Sequence, residues 1–311
     1  MSNPTPTLRV QGIVPPVPTP FRPDGCVDSE AFDRIARHLT DGGADAAFVL
    51  GSTGELASIS HHRRREAIRA AAEAFDGRLP LLVGIGDPCL TESLALAEAA
   101  EAAGASAVVL NAPSYYEISG REMRSCLDFL LPRLALPVVL YNMPWLTGHS
   151  FDDDTLQHSL GFPGLIGFKD SSGDKDYFSN LVRIASERPE LTVLIGNDFL
   201  FLDALKAGGH GAVAGGANLY PGLFRNLIDA HTCGDSKRAS EVQALISSLG
   251  QEIFSINGQP SSVFASIKGG LQALGLCDAE MLPPLTSCTP EQLAGLRLTL
   301  ARAYLPASAV A

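Results

Sequence analysis

Eight short apolar runs alternate along this chain with longer stretches in which apolar residues recur at helical spacing. The runs that predict strands are residues 13–17, 46–50, 81–83, 107–110, 138–141, 165–168, 192–195 and 211–214. The stretches that predict helices between them include residues 28–40, 61–75, 92–103, 122–134 and 177–187. Repeated strand–helix alternation is typical of a parallel sheet, and eight units predict a closed (β/α)8 TIM barrel. An open, doubly wound sheet is the alternative, although no G-x-G-x-x-G motif follows the first run.

The pattern changes after residue 232, where runs with strand character end. Three stretches with helical spacing follow, at residues 237–254, 262–274 and 290–304. We therefore predict a barrel over residues 1–232 and a helical extension over residues 233–311 that packs on it. Of the 311 residues, 46% are hydrophobic and 18% are charged, which is enough apolar material for one large globular domain.

The charge balance and the cysteines bear on partners and location. The chain has 23 Lys and Arg against 34 Asp and Glu, and the net charge of -11 repels phosphate backbones and anionic lipid surfaces. No apolar run reaches membrane-spanning length, and the N-terminus lacks the pattern of a signal peptide. The six cysteines are scattered without a C-x-x-C pair, which argues against a zinc site and favours a reducing compartment. We predict a cytoplasmic protein that binds neither nucleic acid nor membrane.

Chemistry in such a barrel is expected at the carboxyl ends of the strands. Three predicted strand ends carry unusual residues: Gly-Ser-Thr-Gly-Glu at 51–55, Tyr-Asn-Met-Pro at 141–144 and Gly-Phe-Lys-Asp at 167–170. The first segment offers two hydroxyls and backbone N–H groups in a glycine-flanked turn, which can cradle a carboxylate or a phosphate. Turns of this composition are also common without a function, so this segment alone does not identify an anion-binding site.

Lys169 is the most informative of the five lysines because it closes an apolar run. Burial removes water from an amine and lowers its pKa toward the nucleophilic range. An ion pair with Asp170 or with a carboxylate on a neighbouring strand is the alternative. Tyr141 ends the adjacent predicted strand and favours a chemical role, because its phenol could exchange protons with the amine. Lys268 lies in a C-terminal helix, where we expect a side chain that snorkels to solvent.

These three segments, in this order, resemble the dihydrodipicolinate synthase / N-acetylneuraminate lyase family of Schiff-base aldolases. The resemblance extends from residues 12–15 (Gly-Ile-Val-Pro) through 18–21 (Pro-Thr-Pro-Phe) to 208–211 (Gly-Gly-His-Gly), with a looser likeness in the helical tail. It implies imine chemistry that needs neither a metal nor an organic cofactor. It also implies a homotetramer built as a dimer of dimers.

The resemblance assigns roles to particular residues. Lys169 is the imine-forming nucleophile, and Tyr141 is the acid/base beside it. Gly51, Ser52 and Thr53 belong to the loop that holds the carboxylate of a 2-oxo acid, and the two hydroxyls pass protons to Tyr141. Gapless counting places Tyr115 on a third relay position, a tyrosine lent by the neighbouring subunit. Tyr116 is adjacent and is the alternative for that position.

Departures from the family pattern bear on the substrate. Dihydrodipicolinate synthases usually carry an arginine two residues after the proline of Tyr-Asn-x-Pro, where this chain has Leu146. Sialic acid lyases typically have an Asp-Glu pair after the seventh strand, where Asp198 is followed by Phe199. We expect Asp198 to contact the distal part of the substrate or to cap the next helix. Gly215 and Gly216, after the eighth strand, are expected to leave room for a substrate tail.

The combined expectation is an aldolase that cleaves a 2-keto-3-deoxy sugar acid to pyruvate and an aldehyde. The Pro-x-Leu-Thr-Gly sequence at 144–148 is similar to aldolases that act on such acids. A 2-keto-3-deoxy sugar acid dehydratase, an N-acetylneuraminate lyase and a dihydrodipicolinate synthase are alternatives with the same imine. An alternative of another class is a non-catalytic protein that binds 2-oxo acids.

Overall fold

A computed structural model describes residues 8–256, 258–259 and 261–303. The strands are β1 (Gly12–Ile13), β2 (Ala47–Val49), β3 (Leu81–Gly84), β4 (Ala107–Asn111), β5 (Val138–Asn142), β6 (Leu165–Asp170), β7 (Thr192–Ile195) and β8 (Gly211–Ala212). They are parallel and form one sheet in the order β1-β8-β7-β6-β5-β4-β3-β2. A parallel bridge between Pro16 and Phe48 joins the residues after β1 to β2. The predicted (β/α)8 barrel is confirmed.

The strands differ from the predicted ones mainly at their ends. β1 covers two residues, and Pro15 and Pro16, which follow it, have no backbone N–H to continue a ladder. The first and second strands are instead joined where the amide of Val17 donates to the carbonyl oxygen of Phe48 at 2.7 Å. β6 is two residues longer than predicted, so Lys169 and Asp170 lie inside a strand.

In the described part of the chain, twelve α-helices connect and cover the strands. They are α1 (Ser29–Asp41), α2 (His61–Phe75), α3 (Leu90–Ala102), α4 (Gly120–Leu130), α5 (Pro144–Thr147), α6 (Asp153–Ser159), α7 (Lys175–Ala185), α8 (Phe201–Lys206), α9 (Pro221–Thr232), α10 (Ser236–Phe254), α11 (Ser262–Ala273) and α12 (Pro290–Ala303). Short 3-10 turns occur at Leu56–Ser58, Leu131–Arg133, Asp198–Leu200 and Gly216–Asn218. Within the described residues, no helix has the length and hydropathy that a membrane span requires.

Local sequence signals set the helix starts. The side chain of Asp28 accepts a hydrogen bond from the amide of Ala31 at the start of α1. At the start of α4, Ser119 and Glu122 form a reciprocal capping box. Such side chains satisfy N–H groups that the first turn of a helix leaves unpaired. The chain therefore enters these helices at positions that its sequence marks.

Two apolar layers follow from alternation along the strands. In β5, Val138 and Leu140 pack outward against the helices, whereas Val139 and Tyr141 point into the barrel. Successive side chains of a strand point to opposite faces, so a parallel strand covered by helices is apolar on both. The inner layer of side chains fills the barrel up to the carboxyl ends of the strands, so a substrate-binding cavity can form at that edge.

The three helices of the extension form where the sequence predicts them. α10 packs on α8 and α9, and α11 reaches the turn at Gly216–Asn218 next to β8. Tyr304, the last residue of the predicted third helix, lies outside the described residues. The division into residues 1–232 and 233–311 stays a prediction. Lys268 on α11 does not snorkel to solvent as expected, because its side chain is fully buried and paired with Glu55.

Gly84, at the end of β3, is required by a close backbone approach. A Cβ atom there would lie 2.0 Å from the carbonyl oxygen of Leu50, which itself has a positive φ of 54°. We expect Gly84→Ala to lower the free energy of unfolding by about 1–3 kcal/mol, because the backbone must shift to admit the methyl group. Gly164→Ala is the matched control, since a Cβ there meets no atom within 4 Å. Urea unfolding measures both, and equal stability of the two variants would contradict this account.

Candidate active site

A cavity of about 290 Å³ lies at the carboxyl-terminal edge of the barrel. Six of the predicted site residues line it: Ser52, Thr53, Tyr141, Lys169, Asp198 and Gly215. They come from the ends of five strands, because the carboxyl ends of parallel strands meet at one edge. Residues more than 160 positions apart in the chain thus share one pocket.

Tyr141 and Lys169 face each other across neighbouring strands. They are Cα partners in the β5–β6 ladder, so their side chains leave the sheet on the same face. The Lys169 Nζ lies 3.6 Å from the centre of the Tyr141 ring and 5.1 Å from the centre of the Phe48 ring. The strand register, rather than a loop, therefore sets the distance between the amine and the phenol.

The amine of Lys169 is poorly hydrated, since the residue is 5% exposed. Burial lowers the pKa of Lys169, and the neighbouring Tyr141 and Asp170 oppose that shift. Among the described residues, Lys175 and Lys268 form ion pairs with carboxylates, but Lys169 forms none within 4 Å. The alternative of a structural ion pair at Lys169 is therefore wrong. A lowered pKa increases the share of the neutral amine, which is the form that nucleophilic attack requires.

Asp170 is engaged on the opposite face of the same strand. Its carboxylate accepts hydrogen bonds from Nδ2 of Asn142 at 2.8 Å and from the hydroxyl of Ser172 at 2.8 Å. Asn142 is its partner in the β5–β6 ladder. Burial raises the pKa of Asp170. The carboxylate next to Lys169 in the chain is thus used to join two strand ends and does not neutralise the amine.

The loop after β2 places two hydroxyl side chains in the cavity. Thr53 is buried, and Ser52 is partly buried. The hydroxyl of Thr19 donates to the carbonyl oxygen of Gly54 at 2.7 Å and fixes the loop from below. A Cβ atom at Gly54 would lie 2.8 Å from the backbone nitrogen of Leu50, so the turn is as tight as glycine allows.

Asp198 lines the cavity with a carboxylate that is already bound by the backbone. Its two oxygens accept hydrogen bonds from the amides of Gly215 at 3.0 Å and Gly216 at 2.7 Å. The helix-capping alternative is not what is found, since Asn197 caps the following turn by accepting from the amide of Phe199. A Cβ atom at Gly216 would lie 2.6 Å from Asp198 Oδ2, so the space there is filled by Asp198. Asp198 therefore holds the loop after β8.

Four predicted site residues do not line the cavity: Gly51, Leu146, Tyr115 and Gly216. Tyr115 is 89% exposed and has a positive φ of 86°, and its ring packs edge-on against that of Tyr116. Leu146 is 43% exposed, whereas its neighbour Trp145 lines the cavity. The single chain thus assembles Lys169, Tyr141 and the hydroxyl loop, and leaves Tyr115, the predicted relay residue, on its surface.

Several lining residues escaped the sequence analysis. Ser171 lies two residues after Lys169, and the period of a strand places it on the same side of the sheet. Val263, Phe264 and Ile267 come from α11, with spacing that puts them on one helix face. A strand-period rule finds the serine. No local signal tells that a helix some 200 residues after the loop at 51–55 closes the same cavity.

The described residues contain no group of three or more His, Cys, Asp or Glu side chains placed to hold a metal ion.

The comparisons with known proteins show to which family the chain belongs. A profile of the Dihydrodipicolinate synthetase family matches residues 9–303. This chain belongs to that family. The predicted resemblance is confirmed, and so is the enzyme class, because family members are lyases and aldolases.

The relatives of this family member differ in their reactions. The chain is 30% identical to a probable 2-dehydro-3-deoxy-D-pentonate aldolase, YjhH, of Escherichia coli strain K12 over 286 residues, which are 91% of this chain and 94% of that one. Dihydrodipicolinate synthase from Bacteroides thetaiotaomicron has a similar structure, with a TM-score of 0.90 and 34% identity over 94% of this chain and 98% of that chain. YagE of Escherichia coli K12, solved in complex with pyruvate, has a TM-score of 0.89 and 27% identity over 95% and 99%. The family is an aldolase or lyase family, and these names differ in substrate.

Asp198 gives a prediction for stability against pH. Burial raises its pKa to about 6, although the amides of Gly216 and Gly215 oppose the shift. Between pH 4 and pH 6 the folded chain then keeps a proton that the unfolded chain loses, so this carboxyl group stabilises the fold less as pH rises. The stability of the parent relative to Asp198→Asn should fall by about 2–3 kcal/mol from pH 4 to pH 7. Urea unfolding across this range, with exposed Asp154→Asn as control, checks it; parallel curves for parent and Asp198→Asn would contradict it.

Proposed function

We propose that this protein is a Schiff-base aldolase that cleaves a 2-oxo acid to pyruvate and an aldehyde. The observation that carries the proposal is the Lys169 amine, which is buried against the Tyr141 ring and has no carboxylate within 4 Å among the described residues. A non-catalytic binding protein would have no use for an amine kept free of a counter-ion at the cost of its hydration.

The reaction begins when the neutral Nζ of Lys169 attacks the ketone carbon of the 2-oxo acid. The Tyr141 phenol donates a proton to the resulting carbinolamine, so that water leaves and a protonated imine remains, which can accept an electron pair. The Tyr141 phenolate then takes the proton of the C4 hydroxyl, the C3–C4 bond breaks, and its electrons pass into the imine to give an enamine. The aldehyde leaves, the Tyr141 phenol protonates carbon 3, and water hydrolyses the protonated imine to release pyruvate, the free amine and a proton, which returns to Tyr141.

Ser52 and Thr53 are proposed to bind the carboxylate of the substrate. They lie in the same cavity as Lys169 and offer two hydroxyls and the amides of a tight turn. Their loop also contains Gly51, which does not line the cavity. A carboxylate held there would direct the adjacent ketone toward the amine. We further propose that these hydroxyls exchange protons with Tyr141, which lines the same cavity.

Tyr115 is proposed to complete the proton relay in a neighbouring subunit. Its side chain is 89% exposed in the single chain and lies outside the cavity that Lys169 lines. Tyr116, which is 72% exposed, is the alternative. A homotetramer arranged as a dimer of dimers would bring one of them to the site of a partner. The cytoplasmic location also stays a prediction, and the six cysteines are all unpaired in the structure.

A 2-keto-3-deoxy sugar acid is the first candidate for the substrate. Leu146 replaces the arginine expected in a dihydrodipicolinate synthase, and it lies outside the cavity. The similarity to a probable 2-dehydro-3-deoxy-D-pentonate aldolase points the same way. A dehydratase would use the same imine and lose water from the acid instead. Sialic acid cleavage has less support, because Phe199 stands where a second acidic residue is expected.

A second candidate is a 2-oxo acid whose aldehyde part is apolar. The outer wall of the cavity is formed by Trp145, Phe199, Phe254, Phe264 and Ile267. Trp145 is 53% exposed and Phe199 is 39% exposed, so an apolar group bound there would remove aromatic surface from water. Hydroxyl groups placed against the same wall would lose hydration without gaining hydrogen bonds.

The imine is tested by reduction with borohydride in the presence of pyruvate. We expect a stable adduct at Lys169, found by peptide mass spectrometry, and none in Lys169→Met. Because burial lowers the pKa of this amine, trapping with cyanoborohydride should reach half its maximum at a pH below the pKa of a hydrated lysine, which is about 10.4. Lys175→Met, which removes an exposed lysine, is the control. An adduct that persists in Lys169→Met would overturn the assignment.

A substrate panel separates the candidates for the aldehyde partner. Pyruvate release is assayed with 2-keto-3-deoxy pentonates and hexonates and with 4-hydroxy-2-oxo acids that carry an alkyl or aryl tail. A polyol substrate predicts that kcat/KM is highest for the sugar acids and unaffected by Phe264→Leu within about threefold. An apolar substrate predicts the reverse order, with Phe264→Leu lowering kcat/KM by about tenfold. Formation of a 2-oxo acid that has lost one water molecule, without release of pyruvate, identifies the dehydratase.

A further inference from the structure

The described residues contain a second buried lysine that the proposed reaction does not use. Lys268 on α11 and Glu55, which ends the loop after β2, both have fully buried side chains, and the Lys268 amine contacts Oε1 of Glu55. The two residues are 213 positions apart in the chain. Burying two charges costs free energy unless the pair has good geometry and its remaining hydrogen-bonding groups are satisfied.

The remaining hydrogen-bonding groups of this pair are satisfied by a third segment. The Lys268 amine also donates to the carbonyl oxygen of Glu280 at 2.8 Å. Oε2 of Glu55 accepts from the amide of Leu282 at 2.9 Å. The amine further lies 4.5 Å from the centre of the Phe21 ring. The pair therefore fastens together the loop after β2, helix α11 and the segment that follows it.

Glu55 sits directly behind the hydroxyl residues of the cavity. It follows Ser52, Thr53 and Gly54 in the chain and has a positive φ of 61°, which non-glycine residues rarely adopt. Its amide donates to the carbonyl oxygen of Ser52 at 3.1 Å. A buried contact that holds Glu55 in this conformation therefore fixes the turn in which Ser52 lies.

The other partner of the pair lies next to the cavity wall. Ile267, the residue before Lys268, lines the cavity together with Val263 and Phe264 one turn earlier. A single contact thus sets the hydroxyl loop on one side of the cavity and the apolar helix face on the other.

We infer that Glu55 and Lys268 are positioning residues that hold Ser52 and Thr53 in the orientation that binds the carboxylate of the 2-oxo acid. The carboxylate part of this inference rests on the proposed function. The placement of the loop rests on the contacts above and does not depend on any reaction.

The test compares Glu55→Gln, Lys268→Met and the double variant, with Lys175→Met as matched control because it removes the lysine of an exposed ion pair with Asp203. Hydrogen exchange of the amides of residues 50–56 reports on the loop without any substrate. Reductive trapping of Lys169 by pyruvate and by hydroxyacetone, a ketone without a carboxylate, reports on the site. A single variant leaves one buried charge unpaired, so the double variant keeps the test valid if a single one does not fold.

We expect exchange at residues 50–56 to become faster by at least about tenfold in the folded variants and to stay unchanged in Lys175→Met. The pyruvate concentration for half-maximal trapping should rise by at least about tenfold, while that for hydroxyacetone stays within about twofold. Unchanged exchange, or an equal rise for both ketones, overturns the inference. If the parent protein is not trapped by pyruvate, the proposed function fails, and the exchange measurement alone decides the positioning role.

Discussion

The candidate site depends on the removal of water from the amine of Lys169, which has no carboxylate within 4 Å in the part of the chain that the structure describes. The barrel interior surrounds Lys169 with the rings of Tyr141 and Phe48, and the nearest carboxylate in the chain, Asp170, faces away. Aromatic faces attract a cation weakly compared with a carboxylate, so the charged form of the amine is kept from being strongly favoured. Other parts of the site are arranged around this amine. The β5–β6 ladder fixes the Tyr141 phenol beside it, and the loop after β2 places two hydroxyl groups in the same cavity.

The two buried lysines show how the partner decides what a buried amine does. Burial lowers the pKa of Lys268, but its amine contacts a fully buried carboxylate, which opposes that shift, and a carbonyl oxygen, and these contacts hold three segments together. Lys169 has no such acceptor within ion-pair distance among the described residues. Equal burial therefore gives a structural ion pair in one place and a candidate nucleophile in the other. Burial alone does not indicate that a lysine is functional, whereas burial without a carboxylate partner does.

The barrel can be predicted from the sequence, because its strands and helices have strong hydrophobic periodicity. Capping residues such as Asp28 and Ser119 also mark the helix starts. The same periodicity finds Lys169 and Tyr141, since strand ends share one edge of a barrel. Periodicity does not predict the environment of Lys268, because the sequence pattern around a lysine on an apolar helix is the same whether its side chain reaches solvent or a distant glutamate. Nor does it show that the carboxylate of Asp198 accepts hydrogen bonds from the amides of Gly215 and Gly216. The Lys268 contact joins positions 213 residues apart, and the Asp198 contacts join the loops after β7 and β8, so local periodicity determines neither.

Alternation in β6 separates a reactive group from a structural one at adjacent positions. Lys169 pairs with Tyr141 inside the barrel, and Asp170 pairs with Asn142 outside it, in consecutive steps of the same ladder. The strand continues beyond its apolar run to Asp170, where the Asn142 amide donates to the buried carboxylate. A shift of this register by one residue would exchange the two faces and place the carboxylate beside the phenol. The bond between Asn142 and Asp170 therefore helps to define which side chain enters the cavity.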